Sequence, residues 1–217
     1  MKPSLHFFST ISSGDNKYLP LYDNFVYHLD KLGLKKNHHL LSFPEHSSGS
    51  YNDSAFNKIV YTKLKVSHDQ LSKGNSVFVS DLDIVFLRNP WEYLTSLLEE
   101  YDIIFQPDAS RFCTGFYLAR PSAPSIDLFD CSEQIKLQGD QSDQGYINTK
   151  IRRHSKRYKN LKIKTLDKTL FPYGNYWYNH QPFPSKPYIV HYNWVAGVAN
   201  KINKMKKYGH WGALDGL

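Results

Sequence analysis

The segment that most constrains this chain is Ser76-Val-Phe-Val-Ser-Asp81-Leu-Asp83-Ile-Val-Phe-Leu87, an apolar, β-rich run with two carboxylates inside it. In extended backbone, positions i and i+2 face the same way, so Asp81 and Asp83 converge while Leu82 turns to the core. Two like charges so close in an apolar setting are costly unless a positive partner offsets them. A hard divalent cation does so through oxygen ligands, and Mg²⁺ or Mn²⁺ on one or two carboxylates also recruits phosphate oxygens. The triplet alone is weak evidence, because 15 aspartates in 217 residues yield an Asp-x-Asp about once by chance. Its context is stronger: an apolar strand, acids at its C-terminal end and then a helix is where α/β folds bind ligands. The bland alternative is a solvated strand end.

Around this segment, strand and helix patterns alternate. Ser4–Ile11 reads as a first strand, and Val77–Val79, Ile103–Phe105, Phe116–Ala119 and Tyr188–Tyr192 as later ones. Helical spacing runs from Tyr22 to a stop at Gly33, and from Phe56 through Leu71 to Gly74, after an Asn52/Asp53 cap. Asn89-Pro90 opens a further helix with Pro at its first position, residues 142–153 form another, and Ala196–Tyr208 is a basic final helix. Such alternation predicts an α/β fold in one domain over residues 1–217. Strands crowd together after about residue 100, which predicts a mixed sheet. Residues 168–187, rich in Pro, Tyr and Asn, read as one long functional loop.

The formal net charge is +7, but it is local: residues 150–164 hold eight basic residues and residues 201–207 four, both without an acid. The other 15 basic residues face 20 acids, so the body is mildly acidic and a fold coated in nucleic acid is disfavoured. Cys113 and Cys131 are too few for an all-Cys zinc site or a disulfide framework, and read as buried bystanders. No run of about 18 uncharged apolar residues exists, so no membrane span is expected. The opening residues read as a strand rather than a basic–apolar–small leader, so a cytoplasmic setting is expected and Asn52-Asp53-Ser54 is taken as a chance sequon.

Five elements then fall in order: Ser80-Asp81-Leu-Asp83-Ile-Val-Phe-Leu-Arg88-Asn-Pro90; Asp102-Ile-Ile-Phe-Gln-Pro-Asp108; Cys113-Thr-Gly115-Phe-Tyr-Leu; Asp143-Gln144-Gly-Tyr-Ile-Asn148; and His191-Tyr-Asn193-Trp-Val-Ala-Gly197 followed by Lys201. Together, over about residues 4–211, they resemble the GT-A-fold nucleotide-sugar transferases. The short form is similar to the glycosyltransferase domains encoded by chlorella viruses, which modify capsid glycans. The resemblance implies a single GT-A-like domain, a Rossmann-like mixed sheet flanked by helices. It also implies retaining, metal-dependent transfer from a UDP-sugar to a glycan acceptor, with Mn²⁺ or Mg²⁺ as cofactor. A viral chain would act in the host cytoplasm on a capsid glycoprotein. By the same resemblance Asp81, Asp83 and His191 hold the metal, and Asp81 also faces the donor. Lys201 meets the donor diphosphate, Asn193 and Gly197 line the phosphates, Ser9 and Thr10 lie at the uridine, and Lys63 touches donor sugar or phosphate. Relatives often space the late motif as His-x-x-Gly-x-x-Lys, whereas here His191, Gly197 and Lys201 stand farther apart.

The chemistry supports these placements separately. A metal and a lysine stabilise the negative charge that develops on a departing diphosphate. A carboxylate or amide oxygen stabilises the oxocarbenium-like sugar. Asp143 and Gln144, at a helix start, are candidates for binding acceptor hydroxyls and for sitting near the anomeric carbon; otherwise Asp143 only caps its helix. His191, taken alone, is as readily a satisfied strand histidine. His38, His39 and His46 read as surface residues, and Trp194 and Trp211 as core. Tyr173–His180 is either a sugar platform or ordinary packing. The 150–164 run is a solvated helix face or recruits an anionic acceptor. Two rivals stand beside the transferase. Asp81-Leu-Asp83-Ile-Val85 also matches a haloacid-dehalogenase-type phosphohydrolase nucleophile, though no adjacent Asp-Asp follows it. A non-enzymatic nucleic-acid or glycan binder would use the basic segments and leave the Asp pair unexplained. UDP-glucose is the first donor to try, with UDP-rhamnose and UDP-galactose as alternatives.

Overall fold

Strand β1 (Leu5–Ser12) lies parallel to both of its neighbours, β2 (His38–Phe43) and β3 (Ser76–Ser80). The computed structural model describes residues 4–12, 16–43, 54–132 and 142–212. Beyond β3 the direction reverses: β6 (Arg111–Ala119) is antiparallel to β3 and to β5 (Ile103–Asp108), and β7 (Ile163–Thr165) closes the edge parallel to β5. The order β2-β1-β3-β6-β5-β7 is thus a mixed six-stranded sheet. A two-stranded sheet pairs β4 (Ile84–Phe86) with β8 (Ile189–His191), antiparallel.

Both sheet faces are buried, which is why the strands read as near-continuous apolar runs. On one face Phe7, Phe78 and Phe116 pack with Phe25 and Leu29 of α1 (Leu19–Lys31), Leu94 of α3 (Trp91–Glu100) and Met205 of the last helix. On the other face Phe8, Val77, Val79 and Tyr117 meet Leu64 and Leu71 of α2 (Ser54–Ser72), Leu128 of α4 (Ala123–Phe129) and Ile147 of α5 (Asp143–Arg153). Helix α6 (Gly174–Asn179) and helix α7 (Val198–Lys207) complete the order.

Several expectations change. The 76–87 run is not one strand: it breaks at residues 81–83 into a turn between β3 and β4. Residues 168–187 are not a plain loop, because α6 forms within them, buries Trp177 and has its first N–H capped by Asn193 Oδ1 at 2.6 Å. Pro90 is the N-cap residue rather than the first helical one, and Asn89 Oδ1 accepts the Trp91 N–H at 2.9 Å. His38 is wedged between the Phe7 and Phe25 rings, with centroids 4.9 and 5.0 Å away, so it is not a surface residue. Trp194 is 58% exposed, so it is not core. His46 and the Asn52/Asp53 cap lie outside the described residues.

The basic run is only partly a helix face. Helix α5 ends at Arg153, and Lys150 donates to the carbonyls of Asp127 and Asp130 at the end of α4. Arg157 and the Tyr158 hydroxyl both hold the Asp127 carboxylate. These contacts pin α5 to α4.

Candidate active site

The β3–β4 turn and the β4–β8 pair assemble the centre. Asp81 leaves β3 with its N–H bonded to the Gly115 carbonyl at 2.7 Å. The β4–β8 register sets His191 opposite Ile84, and the Tyr192 N–H reaches the Asp83 carbonyl at 2.8 Å. The β4–β8 pairing thereby brings the imidazole beside the second aspartate. Ligand atoms of Asp81, Asp83 and His191 lie within 4.8 Å of one another.

Three observations test whether this cluster suits a divalent cation. The donor set, two carboxylates and an imidazole, suits Mn²⁺ or Mg²⁺. A Cβ on Gly115 would stand 2.6 Å from Asp81 Oδ2 and 2.7 Å from His191 Cε1, so only glycine leaves the cradle open. The third is the imidazole's orientation. Gln106 Nε2 donates to the carbonyls of Phe171 (3.2 Å) and Pro172 (3.0 Å), so its Oε1 is turned to accept from His191 Nδ1 at 2.8 Å. With Nδ1 carrying that proton, Nε2 faces the aspartates, 3.2 Å from Asp83 Oδ1. The residues fit the ion.

Two lysines balance the acids. Lys63 is buried, donates to Asp81 Oδ1 at 3.0 Å and lies 3.0 Å from Asp143 Oδ2 in a second ion pair. Burial works against its charge, but Asp143 and Asp81 outweigh that and hold its pKa above the ordinary lysine value. Lys201 pairs with Asp83 Oδ2. Burial pushes Asp83 up, yet Lys201 and His191 hold it well below the usual carboxylate range. Burial likewise opposes charge on His191, and Asp83 overrides it, lifting the imidazole to about 10.

The remaining sequence candidates fall around this centre. Ser9 is buried within β1, which runs on to Ser12, donating to the Ser80 carbonyl (2.6 Å) and accepting from His38 Nε2 (3.0 Å). Thr10 is half-buried beside it. Ser142, not Asp143, is the N-cap of α5, which leaves the Asp143 carboxylate to Lys63. Gln144 Nε2 donates to Asp108 Oδ2 at 2.8 Å. Asn193 spends its side-chain oxygen on Gly174, and Gly197 is an exposed N-cap at φ 80°. Lys63 therefore joins Asp81 to Asp143, and Lys201 joins α7 to Asp83, while Asn193 and Gly197 form no hydrogen bond or ion pair with these acids among the described residues.

Gln106, Asp108 and Trp194 carry no role in the sequence reading. Trp194 Nε1 donates to Asp108 Oδ1 at 2.6 Å, so one carboxylate holds both Trp194 and Gln144. A signal was available: Gln106 and Asp108 are polar residues two apart at the end of an apolar strand, the pattern that marked Asp81 and Asp83.

This architecture is the GT-A glycosyltransferase fold. Galactosyltransferase LgtC, solved with donor and acceptor sugar analogues, superposes with a TM-score of 0.57 at 11% identity, over 97% of this chain and 96% of that one. A glycosyltransferase involved in glycosylation of the PBCV-1 major capsid gives 0.59 at 11% identity, over 94% and 100%. The chain belongs to the nucleotide-diphospho-sugar transferase family, whose model matches residues 22–205. A UDP-galactose:fucoside alpha-3-galactosyltransferase of Dictyostelium discoideum is 29% identical over 190 residues, covering 75% of this chain and 29% of that protein. The chain thus spans less than a third of that curated relative.

Proposed function

We propose that this chain transfers a sugar from a UDP-sugar to a glycan acceptor, with retention, using Mn²⁺ or Mg²⁺ held by Asp81, Asp83 and His191. The observation that carries this is the Asp81–Asp83–His191 cluster, kept open by Gly115 in a chain of this family. When bound, the ion supplies Lewis-acid stabilisation to the departing diphosphate. Lys201, on the first turn of α7 and already drawn to the cluster, adds a second positive charge there. Lys63 neutralises Asp81 and fixes Asp143, which presents its carboxylate to acceptor hydroxyls. Gln144 aims its side-chain carbonyl at the anomeric carbon because Asp108 holds its amide nitrogen. Ser9 and Thr10 mark the uridine end of the cleft, and Asn193 and Gly197 the phosphate side. The fucoside galactosyltransferase makes UDP-galactose the first donor to try, ahead of UDP-glucose and UDP-rhamnose. A capsid glycoprotein acceptor is suggested by the PBCV-1 neighbour, and two free cysteines suit a reducing cytoplasm.

The test is calorimetry of UDP with and without Mn²⁺, followed by UDP release from a donor panel. Mn²⁺-dependent UDP binding that disappears in Asp83→Ala is the expected result. UDP binding with no dependence on the metal sinks the proposal. The phosphohydrolase rival predicts phosphate release from a simple phosphomonoester, and the binder predicts salt-sensitive DNA binding without metal.

A further inference from the structure

Trp194 combines three features that packing does not explain. It is the most exposed of the large apolar residues among those described, at 58%. Its backbone sits at φ 62°, a left-handed conformation that bulky side chains avoid. Its indole N–H is nevertheless tied at 2.6 Å to Asp108, a carboxylate only 9% exposed. Backbone held in a sparsely populated region persists only where surrounding structure over-determines it. Here that structure is visible: the Tyr178 hydroxyl donates to the Asn193 carbonyl at 3.2 Å, and Asn193 Oδ1 takes the Gly174 N–H at 2.6 Å. The peptide before Trp194 is fixed from one side and its ring from the other. An exposed indole is thus held in one orientation.

Its position narrows the ligand. Trp194 lies three residues beyond His191, and its ring shares the Asp108 carboxylate with Gln144. Asp108 itself follows Gln106 by two on β5, so the end of one strand orients the metal-ligand imidazole, the glutamine and the tryptophan. The cations near the cluster, Lys63 and Lys201, are committed to the acids, and no charged side chain other than Asp108 bonds Trp194 among the described residues. A flat apolar ring with its polar edge already satisfied suits the C–H face of a pyranose, not a phosphate. We propose that Trp194 is the platform on which the acceptor sugar stacks, with Asp108 as the positioning residue that keeps platform and Gln144 in register. This rests on the placement of Gln144 at the transfer centre proposed above.

The experiment uses the full chain saturated with UDP and Mn²⁺, titrated with methyl α-fucoside, methyl β-galactoside and methyl α-glucoside while tryptophan emission is followed. A saturable quench with at least one glycoside, in the millimolar range, is expected from a single stacked sugar. Trp194→Phe should abolish the quench while the Kd for UDP stays within about twofold. Asp108→Asn, which keeps one acceptor oxygen for two donors, should weaken the same glycoside about tenfold. A quench that persists in Trp194→Phe overturns the proposal, as does the absence of a quench with all three glycosides while UDP binds. Failure of UDP to bind with Mn²⁺ is a different result: it removes the transferase reading, and this inference with it.

Discussion

Gln106 Oε1 accepts the His191 Nδ1 proton at 2.8 Å, and that bond decides which imidazole nitrogen faces Asp81 and Asp83. The glutamine cannot flip without turning its oxygen onto the Phe171 and Pro172 carbonyls, which its nitrogen now satisfies. Outer partners of this kind are worth about 10–100-fold in metal affinity. Gln106→Leu should therefore weaken Mn²⁺ by about tenfold or more, read by electron paramagnetic resonance titration of free Mn²⁺. Unchanged affinity would show that the β8 backbone alone fixes the ring.

Gly115→Ala tests the cradle itself. The added methyl would enter within 2.6 Å of Asp81 Oδ2 and 2.7 Å of His191 Cε1. Both neighbours are side-chain atoms, so the sheet can stay intact while the two ligands spread. The expected signature is a native circular dichroism spectrum with the Mn²⁺-induced rise in Tm lost. An equal rise in the variant would show that the ligands relax freely.

The sequence exposed the strand–helix alternation because both sheet faces are buried and the apolar runs are strong. It exposed Asp81 and Asp83 because charge inside such a run is conspicuous. The break between β3 and β4 was hidden, since the same apolar pattern continues across it while the chain turns toward β8. Trp194 reads as core because large aromatics usually are, and the partner that holds its indole, Asp108, lies 86 positions away. The Lys63–Asp143 pair spans 80 positions and six intervening elements, beyond the reach of local periodicity.

Lys63 is a buried cation between two acids, so its removal strands their charge. Breaking one partner of a buried pair costs about 3–5 kcal/mol. The Asp81 side chain is 37% exposed and recovers some hydration, which puts the cost of Lys63→Met at about 3 kcal/mol in urea unfolding. Adding Asp143→Asn should restore much of that loss. A double variant no more stable than the single one would place the cost in packing rather than charge.

His38 gives a pH dependence of known sign. Burial, and secondarily the charge of His39, lower it from 6.5 to about 4. It is thus neutral in the folded chain and bound to Ser9. The unfolded chain takes up a proton first, so this stability is full above pH 6.5 and is lost as pH falls toward 4. His210, also lowered to about 4 by burial and then by His28, adds in the same direction. Urea midpoints should fall between pH 6.5 and 4, and less steeply in His38→Gln, whose amide can still donate to Ser9. Parallel curves for the two proteins would remove His38 from the account.

In the proposed metal site, Lys201 and the ion would compete for one carboxylate. The ammonium pairs with Asp83 Oδ2 while His191 Nε2 stands 3.2 Å from Oδ1, so a cation binding there must share or displace the lysine. Lys201→Met removes the competitor and leaves Asp83 without that neutralising charge. Mn²⁺ alone should then bind several-fold more tightly, because an opposite charge withdrawn from a buried carboxylate raises its demand for another. UDP should respond the other way, weakening by about tenfold in the presence of Mn²⁺, because the diphosphate loses a positive partner. The opposed signs are the informative part. Loss of both affinities would mean that Lys201 only supports the fold of α7. Gain of both would mean that the lysine obstructs the site and does not serve the donor.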